Sequence, residues 1–368
     1  MNWKKNLKDW LFIVGVWTVA SISVTATGIF FQQLILKLLE IDISHVNGPF
    51  LEYINSGFQY LEGALFGFLF GTVFFLIYWL SENTRLRNQS FGKIMLIKTG
   101  LYTVGFVFVF LTVFLILRFL NISPIKETDK FVLLFLDNQF YIAIASFIIL
   151  YSIIVNFILE VSKKFGPGNL WDMFTGKYHK PIIEDRIFMF LDLKDSTAYA
   201  EKLGHIKYSN LIQRCFLYLN EIVFRHKAQI YQYVGDEAVL TWDSDDPDAA
   251  RLCMELFFAF REKLESKSEK FEKEFGFVPE FKAGINEGPV TVAEVGYIKR
   301  EIAYHGDVLN TGARIQSMCN QFGKSLLVSE LFANQTKNFS KIKQELMGEI
   351  LLKGKQQAVN IYAIDSLA

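Results

Sequence analysis

The sequence predicts a chain in two parts. An N-terminal all-α membrane bundle of four transmembrane helices occupies residues 1–162, a linker follows over 163–185, and a globular α/β domain fills 186–368. Three observations carry this reading. With 51% hydrophobic residues, 37 Phe and only 21% charged residues, the chain is more apolar than a soluble protein, where charged residues make up ~25%. The apolar excess is gathered into four long stretches of the first half. From Ile187 onward the pattern changes to short apolar runs alternating with amphipathic segments.

The four stretches are Leu11–Phe31, Leu61–Leu80, Leu101–Leu120 and Phe140–Leu159. Each is about 20 residues, which as a helix covers the ~30 Å hydrocarbon core of a bilayer. Their only charges, Glu62 and Arg118, lie near span ends. The first run is too long for the apolar region of a signal peptide and no small-x-small cleavage site follows it, so it reads as a retained anchor. Lys4, Lys5 and Lys8 precede the first span. Arg85, Arg87, Lys93 and Lys98 lie between the second and third, and Lys163 and Lys164 follow the fourth. By the positive-inside rule both termini are cytoplasmic in an integral protein of the cell membrane.

Gly63, Gly67 and Gly71 form two overlapping G-x-x-x-G steps on the second span, which let another helix approach closely. No span offers the chain of buried charges that a pump needs, which excludes a transporter. The membrane half therefore reads as a lipid-embedded anchor or as a sensor for an unidentified ligand or protein. In the linker, Gly166-Pro167-Gly168 ends whatever helix leaves the membrane. Lys+Arg and Asp+Glu both number 38, so net charge gives no reason to expect nucleic acid as a partner. Cys215, Cys253 and Cys319 lack metal-ligand spacing and suit reduced thiols.

In the globular half, "RIFMFLDLKDST" is a buried strand ending in Asp192, followed by a helix behind Asp195 or Ser196 and an amphipathic helix over about 206–225. "IYQYVGDEAVLTW" then reads as a hairpin with Gly235-Asp236-Glu237 at its tip. A helix follows near Pro247–Leu264, then the strands "FKAGINEG" and "TVAEVGY", the helix "VLNTGARIQSMCNQF", and the strands "SLLVSE", "EILLKGK" and "VNIYAI". Asp is a turn residue in its own right, so the tip alone settles nothing. Two strand-end carboxylates that meet repel unless a cation lies between them, and a few hard oxygens suit Mg²⁺ or Mn²⁺. Asn310 and Arg314, four apart, share one helix face. That pair is either a solvated polar stripe or a means to orient a ribose and stabilise phosphate charge.

"FLDLKDST", "YQYVGDEAV", "AGINEGPVTVAEVG", "YHGDVLNTGARI" and "LLKGK" come in the order of the motifs of class III nucleotidyl cyclase domains, and residues 185–365 resemble that family. The resemblance implies a ferredoxin-like α/β core that pairs head to tail. It also implies cyclisation of a nucleoside triphosphate to a 3′,5′-cyclic nucleotide and pyrophosphate, with two divalent cations per site. By that likeness Asp192 and Asp236 hold metal, with the backbone of Leu193; Asn310 orients the ribose and Arg314 stabilises the transition state. Lys355, or Lys353 in the other register, contacts phosphates, with Lys299 near a further basic contact. Asp195 stands where many relatives have Gly.

One domain carries both residue sets, so a homodimer would form two equivalent sites, and the four spans with their glycine face would help to bring subunits together. Gln232 and Ala303 occupy the positions that choose the purine in the family and match neither standard pair. ATP is favoured as the family's common substrate, with GTP or an unselective cyclase as alternatives. A catalytically silent nucleotide-binding receptor is the rival from another class. A diguanylate cyclase is rejected, because Val234 and Ala238 break the G-G-D-E-F pattern.

Overall fold

The computed structural model describes residues 3–38, 56–84, 89–119, 138–165, 172–173, 175–340, 342–351 and 358–366. The chain forms two compact units, Met1–Lys164 and Phe165–Ala368.

Among the described residues the first unit holds four helices: α1 (Trp3–Leu38), α2 (Phe58–Asn83), α3 (Phe91–Phe119) and α4 (Asn138–Phe165). Three carry stretches long and apolar enough to cross a membrane: Trp10–Phe31, Phe58–Ser81 and Phe91–Val113. The apolar stretch of α4 is shorter, Ile149–Val161, among the described residues. Three helices thus meet the criterion where four spans are expected. Leu96, Phe12 and Phe108 are 77%, 70% and 65% exposed, positions that a bundle in water would bury.

The glycine face of α2 packs against α1. A Cβ on Gly67 would lie 2.6 Å from Thr18 Cα, and one on Gly71 2.9 Å from Val14 Cα. The missing side chains let α1 and α2 approach backbone to backbone, and Trp17 packs edge-on to Phe70 at 4.6 Å. Lys98 departs from its expected place. It lies inside α3, buried, with its Nζ 2.8 Å from Glu160 on α4 and 5.4 Å from the Tyr78 ring of α2. A lysine expected in a loop is instead part of a buried ion pair.

The second unit is a mixed sheet with helices on both faces. Its strands are β1 (Ile182–Leu193), β2 (Gln229–Val234), β3 (Glu237–Asp243), β4 (Phe281–Val295), β5 (Glu301–His305), β6 (Leu326–Ser329), β7 (Ile342–Ile350) and β8 (Val359–Ser366). They run in the order β2-β3-β1-β4-β6-β8-β7, with β5 paired to β4. The helices are α5 (Ser196–Val223), α6 (Ala249–Glu265), α7 (Ser268–Phe275), α8 (Asp307–Ser317), α9 (Cys319–Phe322) and α10 (Glu330–Thr336).

β1 is central, and its run Ile187–Leu191 is apolar without interruption because both its faces are covered. Ile187, Met189 and Leu191 join Leu219, Phe257 and Phe260 in the larger core, while Phe188 and Phe190 face Val290, Val292 and Val308. The two helices expected after Asp195 are present end to end within α5, separated at Gly204, whose φ of 71° and ψ of 166° are not helical. The expected break between "FKAGINEG" and "TVAEVGY" is absent: β4 runs unbroken for 15 residues through Gly288 at φ 152°.

Candidate active site

The site begins with a row across three strands. Asp192 at the end of β1 is paired in register with Glu237 on β3 and with Lys282 on β4. The β2–β3 hairpin then turns on two residues, Gly235 and Asp236. Gly235 has φ 64°, which a residue without Cβ adopts at no steric cost, and the turn delivers Asp236 beside the row.

Packing of α8 supplies a second contact. Phe190 of β1 would lie 2.7 Å from a Cβ on Gly312, and the Gly312 carbonyl 2.6 Å from a Cβ on Gly284. These two glycines seat the helix directly on the sheet. Gln316, one turn on and buried, donates from Nε2 to Asp192 Oδ2 at 2.8 Å. Lys282 Nζ lies 3.4 Å from the same oxygen.

Acids outnumber cations here. Burial first, and then the charge of Asp236, raises Asp192 above the usual carboxylate range, against the pull of Lys282 and Gln316. Burial, then Asp192 and Asp236, pushes Glu237 up to about 7. Burial and the Asp236 carboxylate also push the Tyr208 hydroxyl of α5 up to about 12. Asp236 Oδ2 is buried with no hydrogen-bond partner. A buried carboxylate oxygen left in that state is costly unless a cation or donor meets it.

The residues therefore fit a divalent cation. Among the described residues no group of three or more His, Cys, Asp and Glu side chains converges to hold a metal. Two carboxylates with the adjoining Leu193 backbone form a sparse set, and sparse sets suit ions that keep water and phosphate oxygens as their other ligands.

Asn310 and Arg314 do not join this cluster within one chain. At ~100° per residue, Arg314 stands about 200° round the helix from Gln316, the residue that reaches Asp192. Asn310 is exposed and Arg314 half-buried, whereas Val308, Thr311, Gly312, Ile315 and Gln316 are buried.

Gln232 lies exposed on β2 and Ala303 is buried on β5. Their chain neighbours Tyr231 and Tyr304 meet edge to face at 4.9 Å. Lys299 is at an exposed hairpin tip, paired with Glu301 at 2.9 Å. Lys353 and Lys355 lie outside the described residues. Sequence reasoning named neither Lys282, Gln316 nor Tyr208, and it read Glu237 only as part of the hairpin tip. Of these, Glu237 had a signal, since it adjoins Asp236 in the turn.

The second unit is thus an α/β sheet in which an acid near the end of a central strand lies beside an acid-bearing hairpin. Residues 180–366 match the family of the adenylate and guanylate cyclase catalytic domain, and the chain belongs to that family. It is 31% identical over 208 residues to adenylate cyclase 2 of Rhizobium meliloti strain 1021, covering 56% of this chain and 57% of that one. Adenylate cyclase 1 of the same organism is 28% identical over 181 residues, covering 48% of this chain and 27% of the relative. The chain thus spans little more than half the length of the first relative and about a quarter of the second. A bacterial light-regulated adenylyl cyclase superposes with a TM-score of 0.53 at 15% identity, covering 62% of this chain and 67% of that structure; this likeness concerns the fold alone.

Proposed function

We propose that the chain is a membrane-anchored adenylate cyclase that converts ATP to 3′,5′-cyclic AMP and pyrophosphate between two copies of itself. The observation that carries this reading is the acid row with one ammonium, completed by the buried, unpartnered Asp236 Oδ2. Asp192 and Asp236, with the Leu193 backbone, hold two Mg²⁺ or Mn²⁺ ions, which supply positive charge at the reacting phosphate. The ribose 3′-oxygen bonds to the α-phosphorus as the bond to the pyrophosphate oxygen breaks, and the hydroxyl proton is lost to water. Asn310 orients the ribose. Arg314 offsets charge on the phosphate in the transition state. Lys355, or Lys353, and Lys299 hold the remaining phosphates.

The opposed faces of α8 support a homodimer. Acids from one copy and the Asn310/Arg314 face of the other form each of two equivalent sites. The first 162 residues anchor the chain in lipid through four spans, α4 being the fourth, with both termini cytoplasmic. The linker over 163–185 connects them to a catalytic domain over 186–368 with a ferredoxin-like core, and the membrane part answers to a ligand or protein of its own. Base choice is relaxed: Ala303 brings no polar side chain to the base and the Gln232 amide serves either purine edge, so GTP is the second substrate.

The test is product formation from ATP, GTP, CTP and UTP with Mn²⁺ by the purified full chain, beside Asp236→Ala. Cyclic AMP as the main product, absent from the variant, is the expected result. A dimeric protein that binds nucleotide without turnover would instead make the domain a silent nucleotide receptor.

A further inference from the structure

We propose that Arg186 is a positioning residue for the base end of the site, holding β2 and β5, the strands that carry Gln232 and Ala303, at a fixed separation. The inference rests on the reading above that these two residues flank the purine, and it concerns a residue to which that reading gives no part.

In sheet order β3, β1 and β4 lie between β2 and β5, which in a flat sheet would set them ~19 Å apart. Yet the rings of Tyr231 and Tyr304, chain neighbours of Gln232 and Ala303, meet edge to face at 4.9 Å. Both also stand edge-on to Phe188 of β1, at 6.4 and 5.4 Å. The sheet is therefore curled over Phe188, and its curl sets the distance between the two base positions.

Arg186, two residues before Phe188 on the same face of β1, is 4% exposed. Its guanidinium carbon lies 5.7 Å from the centre of the Tyr304 ring, and Nη1 is 3.5 Å from Gln229 Oε1 on β2. One side chain thus reaches both strands. Nε and Nη2 donate to Glu184 Oε2 at 2.9 and 2.6 Å. The other oxygen of Glu184 is taken by the linker: the Tyr178 hydroxyl donates to it at 3.1 Å, and the Lys177 ammonium lies 3.1 Å away. Glu184 is fixed from two sides and aims the guanidinium fork at Tyr304. Apolar side chains of similar volume often replace a buried ion pair without loss of stability. What the arginine adds is direction, a planar cation seated against one ring.

Initial-rate kinetics of the purified full chain test this, with inorganic pyrophosphate as a probe that has phosphates but no base. Arg186→Met is expected to raise the KM for ATP about fivefold, the scale of one desolvated cation–ring contact. Its kcat stays within about twofold of wild type, and the inhibition constant of pyrophosphate does not move. Tyr304→Leu is expected to give the same rise in KM, and the double variant no more than either single one. Tyr304→Phe keeps the ring and is expected to keep the wild-type KM. A merely structural role for Arg186 would weaken ATP and pyrophosphate alike, and that result overturns the inference. An unchanged KM in Arg186→Met, while Gln232→Ala raises it, overturns this inference alone. No effect of either substitution overturns it together with the base reading. Should the wild type bind ATP without turnover, the same comparison is made on the dissociation constants for ATP and pyrophosphate. If Arg186→Met does not fold, Arg186→Gln decides: a raised KM carries the inference, and an unchanged one ends it.

Discussion

Each unit contains a buried lysine beside a carboxylate, and the two pairs differ in what surrounds them. Lys98 and Glu160 meet at 2.8 Å with side chains 4% and 10% exposed, tying α3 to α4. Lys282 and Asp192 are 0.6 Å further apart, at 3.4 Å, and two more acids, Asp236 and Glu237, lie close enough to act on Asp192 or be acted on by it. In the first pair ammonium and carboxylate are in direct contact. The second leaves negative charge over, and leftover buried charge costs free energy unless something outside the chain meets it. Burial of an ion pair alone therefore says little about function; the excess on one side is the informative quantity.

The largest effect should fall on the open cluster. Asp236→Ala is expected to lose more than about a hundredfold in turnover, because changes one layer out from a metal already cost ~10–100-fold. In EDTA its melting temperature should be no lower than that of wild type, since the substitution removes repulsion. A marked fall would mean that the three acids were a closed structural network after all. The membrane unit should behave the opposite way. Lys98→Met strands Glu160 and is expected to cost ~3–5 kcal/mol of stability, while Lys98→Met with Glu160→Leu should recover most of it. Denaturation in detergent measures both, and a double variant as weak as the single would show that the pair is not self-contained.

A smaller effect is expected at Glu287, a half-buried acid held by a neutral amide. Gln335 Nε2 lies 2.7 Å from both its oxygens, and burial raises its pKa from the ordinary 4.5 despite that bond. A raised carboxyl favours the fold while protonated, so its contribution is lost as pH rises from about 4.5 through the folded value. Glu287→Gln should flatten that loss in urea midpoints measured against pH. Parallel curves for variant and wild type would show the residue is as well solvated folded as unfolded.

Local features of this chain were legible and long-range ones were not. The buried strand into Asp192 and the two-residue turn at Gly235-Asp236 follow from short-range alternation and one glycine. Lys282 and Gln316 lie 90 and 124 residues beyond Asp192, and only the register of β4 and the seat of α8 bring them to it. Lys98 read as loop charge because apolar length begins near Leu101, yet α3 starts at Phe91 and the partner that permits burial is 62 residues away. "NEGP" imitates a turn, but β1 pairs along most of β4 and keeps it extended. The glycine ridge was plain in α2, whereas its use against α1 depended on packing that a periodic pattern does not encode.

The smallest effect concerns an acid close to the row that takes no part in it. Asp195 is exposed, three residues after Asp192, with φ 56° and ψ 30° and no side-chain cap bond. That is the left-handed region, where Asp is tolerated better than most residues and Gly best of all. The carboxylate is thus incidental and the backbone angle is the constraint. Asp195→Gly should change stability by no more than ~1 kcal/mol, relief of strain being offset by the greater freedom of an unfolded glycine. Asp195→Ala removes the same charge but keeps a Cβ, and should be the less stable of the two by ~1 kcal/mol. Chemical denaturation ranks them, and turnover with Mn²⁺ should match wild type in both. Equal stabilities would remove the backbone explanation, and a shared drop in turnover would place Asp195 among the acids that serve the metal.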